Sequence, residues 1–220
     1  MTRRLGVLAA FRRPEDLAFA DFLPIYYQEL PEFDVDDRRD EDLYAVALTH
    51  FGIGQRRAPG ETIVEMLTAE SGRDGWSNDR TIAFVVTDDA PFLVDTVRIV
   101  LERHAVTTHL LVHPMVRVRR GERGELLEVV DDSDQRFGVV LEAWTQVEIN
   151  LLDPDAALAL QRDLVAAVDR VHRIVADFGA MRDRMRRVNA STSLRDCGSQ
   201  PLTGMAGPNV TNTRDQYPTA

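Results

Sequence analysis

Hydrophobic positions fall at helical spacing near the start of the chain. Between Glu15 and Leu30, the residues Leu17, Phe19, Phe22, Leu23, Tyr26, Tyr27 and Leu30 follow a period close to 3.6 and predict a helix. Pro24 interrupts that pattern and predicts a turn or kink. A polar, acidic stretch at 31–42 reads as a solvated loop. The helical pattern resumes at Leu43, Val46, Ala47, His50 and Phe51 and stops at Ala58-Pro59-Gly60. Thr62–Ala69 is β-branched and apolar and predicts a short strand, followed by a turn-rich 71–78.

The clearest segment starts at Thr81. Ile82, Phe84 and Val86 alternate with Ala83, Val85 and Thr87, and nearly every position is apolar, so a central strand covered on both faces is expected. Asp88-Asp89-Ala90-Pro91 then predicts a helix start, with Asp89 as cap and Pro91 in the first helical position. Leu93, Val97, Val100, Leu101 and His104 make one face of that helix, which ends near Ala105. Thr108–Arg120 reads as one long strand. Leu110, Val112, Pro114, Val116 and Val118 share one face; His109, His113, Arg117 and Arg119 share the other. Pro114 fits an edge or a bulge. A turn at 120–124 leads into 125–130, which extends a hairpin. Val139–Asn150 is the next strand, with Val139, Leu141, Ala143, Thr145, Val147 and Ile149 facing in and Glu142, Trp144, Gln146 and Glu148 facing out. Asp153-Pro154 opens a long helix to about Val188, striped by Leu158, Leu164, Val165, Val168, Val171, Val175, Phe178 and Met185. Residues 189–220 lose all periodicity and predict disorder.

Strand, helix, strand, strand, helix over 81–188 implies an α+β sandwich, an antiparallel sheet with helices on one face. The ferredoxin-like βαββαβ unit needs one more strand. Nothing after Val188 supplies it, and Thr62–Ala69 is the candidate for that edge.

Composition narrows the function classes. The formal net charge of −10 argues against nucleic acid and against an anionic membrane as partners. No apolar run approaches the ~20 residues of a membrane span, and the short patch Leu5–Phe11, bracketed by arginines, does not read as a signal peptide. A cytoplasmic setting is expected. The single cysteine, Cys197, forms no internal disulfide. All 26 basic residues are arginine, so chemistry that needs a lysine amine is closed to this chain.

No glycine-rich dinucleotide fingerprint follows a strand and no phosphate-binding loop is present; Gly52-Ile53-Gly54 lies on a helical segment. No catalytic, cofactor-binding or metal-ligating residue is therefore assigned. His109 and His113 lie four residues apart on a strand, ~13 Å, too far to share a metal. With Trp144 they read as an interface on the outer sheet face, against the rest of a longer chain or a second copy. The best site candidate is the loop between the central strand and the helix: Asp88, Asp89, Ala90, Pro91, Phe92 and Leu93. Free amides and the helix dipole there favour an anion such as an amino-acid carboxylate. The negative charge of Asp88 and Asp89 opposes that. The alternative is that Asp89 only caps the helix and Phe92 packs.

Four strings go further: Asp21-Phe22-Leu23-Pro24-Ile25-Tyr26-Tyr27, Gln55-Arg56-Arg57-Ala58-Pro59-Gly60, the run Val86–Asp95, and His109-Leu110-Leu111-Val112-His113-Pro114. In this order they resemble the N-terminal segment of the large bacterial NAD-specific glutamate dehydrogenases, over roughly residues 14–188. The resemblance implies an ACT/ferredoxin-like regulatory module at 62–188, after a helical N-terminal segment at 1–60 and before a disordered tail at 189–220. It implies a fragment without the catalytic domain, whose abrupt change near Asn189 fits a truncated product or a linker. The family reaction is oxidative deamination of glutamate to 2-oxoglutarate and ammonia; NAD serves the full-length enzyme, and this chain holds no cofactor. ACT modules that bind amino-acid effectors use the strand-to-helix loop, often across a subunit interface, and usually carry glycine after the proline, where Phe92 stands here. Two other expectations compete with the dehydrogenase fragment: a stand-alone amino-acid sensor and a structural assembly domain.

Overall fold

A computed structural model describes residues 17–31, 34, 38–68, 79–131 and 136–193. The elements run α1 (Leu17–Tyr26), α2 (Asp40–Ile53), β1 (Ile63–Thr68), β2 (Arg80–Asp88), α3 (Leu93–Arg103), β3 (Thr108–Val112), β4 (Met115–Arg120), β5 (Leu126–Val130), β6 (Val139–Asn150) and α4 (Pro154–Ser193). By contacts the chain divides into two units, one to Asp177 and one from Phe178. In the second unit Phe178 and Met181, on α4, are exposed. The disordered tail expected from 189 does not begin there, since α4 continues to Ser193; residues 194–220 and the turn expected at 71–78 lie outside the described residues.

The six strands form one antiparallel sheet in the order β1-β2-β6-β4-β5, with β3 also on β6. β6 is the spine. β3 and β4 lie end to end along its far edge, Leu111 opposite Val147 and Met115 opposite Ala143. The single strand expected over Thr108–Arg120 is thus two, broken at His113-Pro114. Proline has no amide proton to give, yet the ladder continues, because the Trp144 amide donates to the Pro114 carbonyl at 3.0 Å.

β1 pairs antiparallel with β2 in the edge position that the last strand of a ferredoxin-like unit would fill. The missing strand is supplied from the N-terminal side, so the unit is completed by a segment that precedes it in the chain.

The sheet is covered on both faces. On one, α3 and α4 bury Val97, Val100, Leu101, Leu160 and Leu164 against Val64, Ala83, Val85, Val147 and Ile149. On the other, α1 and α2 bury Phe19, Phe22, Tyr26, Tyr27, Leu43 and Phe51 against Val86, Leu110, Val112, Val116, Val118 and Trp144. The Phe22 ring centroid lies 4.8 Å from that of Trp144 and 5.2 Å from that of Phe51, within the range where aromatic pairs attract beyond simple burial.

This second cover corrects one expectation. Glu142, Trp144, Gln146 and Glu148 do share a face, but none of them faces solvent; all four are buried. α2 ends at Gly54, where an added Cβ would lie 2.0 Å from the Trp144 ring, so the helix end and the indole approach through the glycine.

Candidate functional site

The strand-to-helix loop is built differently from its sequence expectation. Asp88 is half-exposed, and its carboxylate accepts from the Arg57 guanidinium. The Asp89 amide donates to the Leu141 carbonyl at 3.2 Å, extending the β2–β6 pairing, and its side chain is exposed. Ala90 and Leu93 are buried with Ala143 and Val168. Pro91 is exposed and precedes the helix by two residues.

Asp89 therefore does not cap α3, and Pro91 does not open it. The cap position is Phe92, in the left-handed region at φ 68°, with no side-chain cap hydrogen bond. Nor does Phe92 pack: it is 73% exposed. A left-handed conformation strains any residue with a Cβ, typically by 1–2 kcal/mol, and glycine relieves it. Phe92→Gly is expected to raise stability by about 0.5–1 kcal/mol, since little burial is lost and glycine's own entropy cost offsets part of the gain. Chemical denaturation measures this, and a destabilised variant would show that the aromatic ring holds the loop.

Val94, the next residue along after Asp88–Leu93, is part of the wall of a cleft of about 280 Å³, which none of those six residues lines. Ile25, Tyr26, Glu29, Leu30, Pro31 and Asp34 line it from the end of α1 and the segment after it, Val94 from α3, and Leu111, Val112, His113 and Pro114 from the β3–β4 junction. Three of the four strings singled out in the sequence contribute to its wall. His113 is half-buried, and its Nδ1 lies 2.7 Å from Thr145 Oγ1. Burial lowers its proton affinity, against the opposing pull of Asp89 and Glu29.

The fourth string anchors a buried ionic network on the α1/α2 face. Glu142, fully buried, accepts from Arg57 (Nη2 at 2.8 Å), from Arg120 (Nε at 2.6 Å and Nη2 at 2.9 Å) and from Trp144 Nε1 at 3.2 Å. Burial works against the Arg57 charge, but Glu142 and Asp88 outweigh it and hold the guanidinium above its ordinary proton affinity. Arg57 donates its amide to the Gly124 carbonyl, and the Leu126 amide donates to Gln55, which fastens this string to the β4–β5 turn. Gly124 sits at φ 82°, with Arg57 so close that a Cβ would lie 2.3 Å from its carbonyl oxygen.

A second buried polar group lies further along β6. The Tyr26 hydroxyl meets His50 Nδ1 at 2.7 Å and Gln146 Oε1 at 2.9 Å. Burial pushes the His50 imidazole down to about 3, so it is neutral, and holds the Tyr26 phenol well above its usual range.

The interface residues expected from the sequence separate. Trp144 lies on the α1/α2 face and is wholly covered by this chain's own helices, not left for a partner. His113, paired with Thr145, is on the opposite face. The register shifts between Thr108 and Leu110, and His109 at that irregularity is exposed. Arg57, Glu142, Tyr26 and His50 carry no site role in the sequence reading, although Tyr26 and Arg57 lie within the strings quoted there. The signal was present, since Glu142, Gln146 and Glu148 put polar groups at every second position around a tryptophan on an otherwise apolar strand. His104 meets Asp163 at 2.8 Å and His172 meets Thr87 at 2.8 Å, both ordinary helix-to-neighbour contacts. Cys197 lies outside the described residues.

An antiparallel sheet of this order, with α3 and α4 on one face, defines an ACT-like α+β module. A family model described as glutamate dehydrogenase, ACT1 domain, matches residues 22–164, and the chain belongs to that family. Three curated relatives, each an NAD-specific glutamate dehydrogenase, agree. The protein of Halomonas elongata is 28% identical over 75% of this chain, that of Pseudomonas aeruginosa 30% over 69%, and that of Mycobacterium tuberculosis 26% over 60%. The aligned parts cover 10%, 9% and 8% of those relatives, so the chain spans about a tenth of the curated relatives it matches. The match falls on the ACT1 region, not on the NAD-binding catalytic domain.

Proposed function

We propose that this chain is the regulatory ACT1 portion of an NAD-specific glutamate dehydrogenase and that it senses a small effector for a catalytic domain outside residues 1–220. The observation that carries the reading is the cleft beside the Asp88–Leu93 loop, where three family-matching strings meet. A concave site with apolar walls and a few convergent polar groups is the usual form of a small-molecule pocket. Asp88 and Asp89 open the loop, Ala90 and Leu93 root it in the core, and Pro91 and Phe92 present its exposed turn. An amino acid is the effector we assign, its ammonium group toward Glu29 and Asp34, and exposed His109 and Phe92 are available to the rest of the enzyme or to a second copy. Among the described residues no helix is long and apolar enough to cross a membrane.

Purified chain supplied with glutamate and NAD is expected to form no NADH. Absorbance of the reduced cofactor checks this, and turnover that follows the chain through purification would overturn the reading. Calorimetry with a panel of amino acids, basic ones included, then separates a sensor from a purely structural assembly domain, since the latter produces no heat with any of them.

A further inference from the structure

The polar groups at the cleft have one sign. Glu29 and Asp34 line it, and Asp89 and Glu29 both act electrostatically on His113 at its wall. Among the described residues no arginine lines the cleft. The remaining wall is aliphatic: Ile25, Leu30, Val94, Leu111 and Val112 with two prolines. We infer that this cleft binds a small organic cation, an aliphatic molecule carrying an ammonium or guanidinium group, with its carbon body on the apolar wall and its charge at the acidic lip.

Three features fit that occupant. About 280 Å³ lies near the small end of ligand sites, enough for a short aliphatic chain and its head group. The His113 ring is fixed at the wall by Thr145 through Nδ1, and Asp89 and Glu29 favour positive charge there. Glu29 and Asp34 are both exposed and lie five positions apart in the chain. Among the described residues no three His, Cys, Asp or Glu side chains come close enough together to hold a metal ion, so the cation that suits them is extended and shares its charge among several carboxylates. The overall charge of −10 draws cations toward the chain. This inference concerns the sign and shape of the ligand, and it stands whether or not binding regulates a dehydrogenase.

The test uses the full chain and isothermal calorimetry with putrescine and with agmatine, with glutarate as the anionic probe of similar length. Saturable binding of either diamine-type probe at millimolar or lower concentration is expected, and none of glutarate. Glu29 and Asp34 are exposed, so Glu29→Gln with Asp34→Asn leaves the fold intact. That double variant is expected to bind about tenfold more weakly or worse, the equivalent of about 1.4 kcal/mol. Glu102→Gln, exposed on α3 and away from the cleft lining, is expected to bind as the parent does. Absence of heat with both cations, equal binding in the double variant, or preference for glutarate would each overturn the proposal. NADH formation by the chain would instead defeat the regulatory reading and leave this one standing.

Discussion

Glu142→Leu is expected to cost about 3–5 kcal/mol of folding stability, because removing one partner of a buried ion pair strands the charges that remain. Glu142 is fully buried and is the shared acceptor for two guanidiniums and one indole. Without it, the side chain of Arg57, 2% exposed, and that of Arg120, 9% exposed, face one another with no carboxylate between them. Arg57 keeps Asp88 as a partner. Arg120 keeps the Gly54 and Gly124 carbonyls, which carry no full charge. A second substitution, Arg120→Leu, on the Glu142→Leu background is therefore expected to recover part of the loss, since it removes a stranded charge. Urea denaturation followed by tryptophan fluorescence measures both, with Trp144 reporting from inside the network. If Glu142→Leu lies within about 1 kcal/mol of the parent, an ordinary surface effect, the network is not a stabilising anchor.

Acid is expected to unfold the chain through His50. Its imidazole ordinarily takes a proton near 6.5, and burial lowers that to about 3 in the folded chain. Between those values the unfolded chain holds a proton that the folded chain refuses. The stabilising contribution of neutral His50 is thus complete above pH 6.5 and is lost as pH falls toward 3, at up to about 1.4 kcal/mol per pH unit. Its surroundings favour the neutral ring: Tyr26, Phe84 and Trp144 pack around it, and the Tyr26 hydroxyl occupies Nδ1. His50→Gln, which removes the titration, is expected to start less stable at pH 7 and to lose less on acidification. From pH 6.5 to pH 4 the gap between variant and parent should narrow by about 3 kcal/mol. Parallel stability curves over that range would show that His50 is not the acid-sensitive group.

The sheet and both of its α3/α4-side helices were legible because their signals are local. Val139–Asn150 and Thr81–Thr87 alternate at period two, and the helical stripes repeat at 3.6, so side-chain direction follows from spacing alone. The edge strand was legible as well, since Thr62–Ala69 was the one unassigned β-branched run available to complete the unit. The start of α3 was misread because Asp89 and Pro91 carry the usual capping chemistry. The Asp89 amide is instead drawn into the β2–β6 ladder by Leu141, which delays the helix to Leu93 and leaves Phe92 to make the turn.

The candidate site was half legible. The loop was named from its strand-to-helix position, but none of Asp88–Leu93 lines the cleft, which is assembled from the end of α1 and the segment after it, Val94 of α3 and the β3–β4 junction, segments as far apart as Ile25 and Pro114. No pattern within a single segment records that encounter. The same holds for Arg57 and Glu142, which meet across 85 positions of sequence.

By itself the sequence determined most of the elements, their order and the two sets of side chains on each strand, since each depends on spacing within a short stretch of chain, while the ACT-like class came from the resemblance of whole strings to a known family. Only the tertiary structure decided what covers each set. The alternation around Trp144 divides β6 into two faces without saying that α1 and α2, from far upstream, close over the one carrying Glu142, Gln146 and Glu148. Burial is a property of what packs above a surface, and here the packing partners lie roughly a hundred residues away.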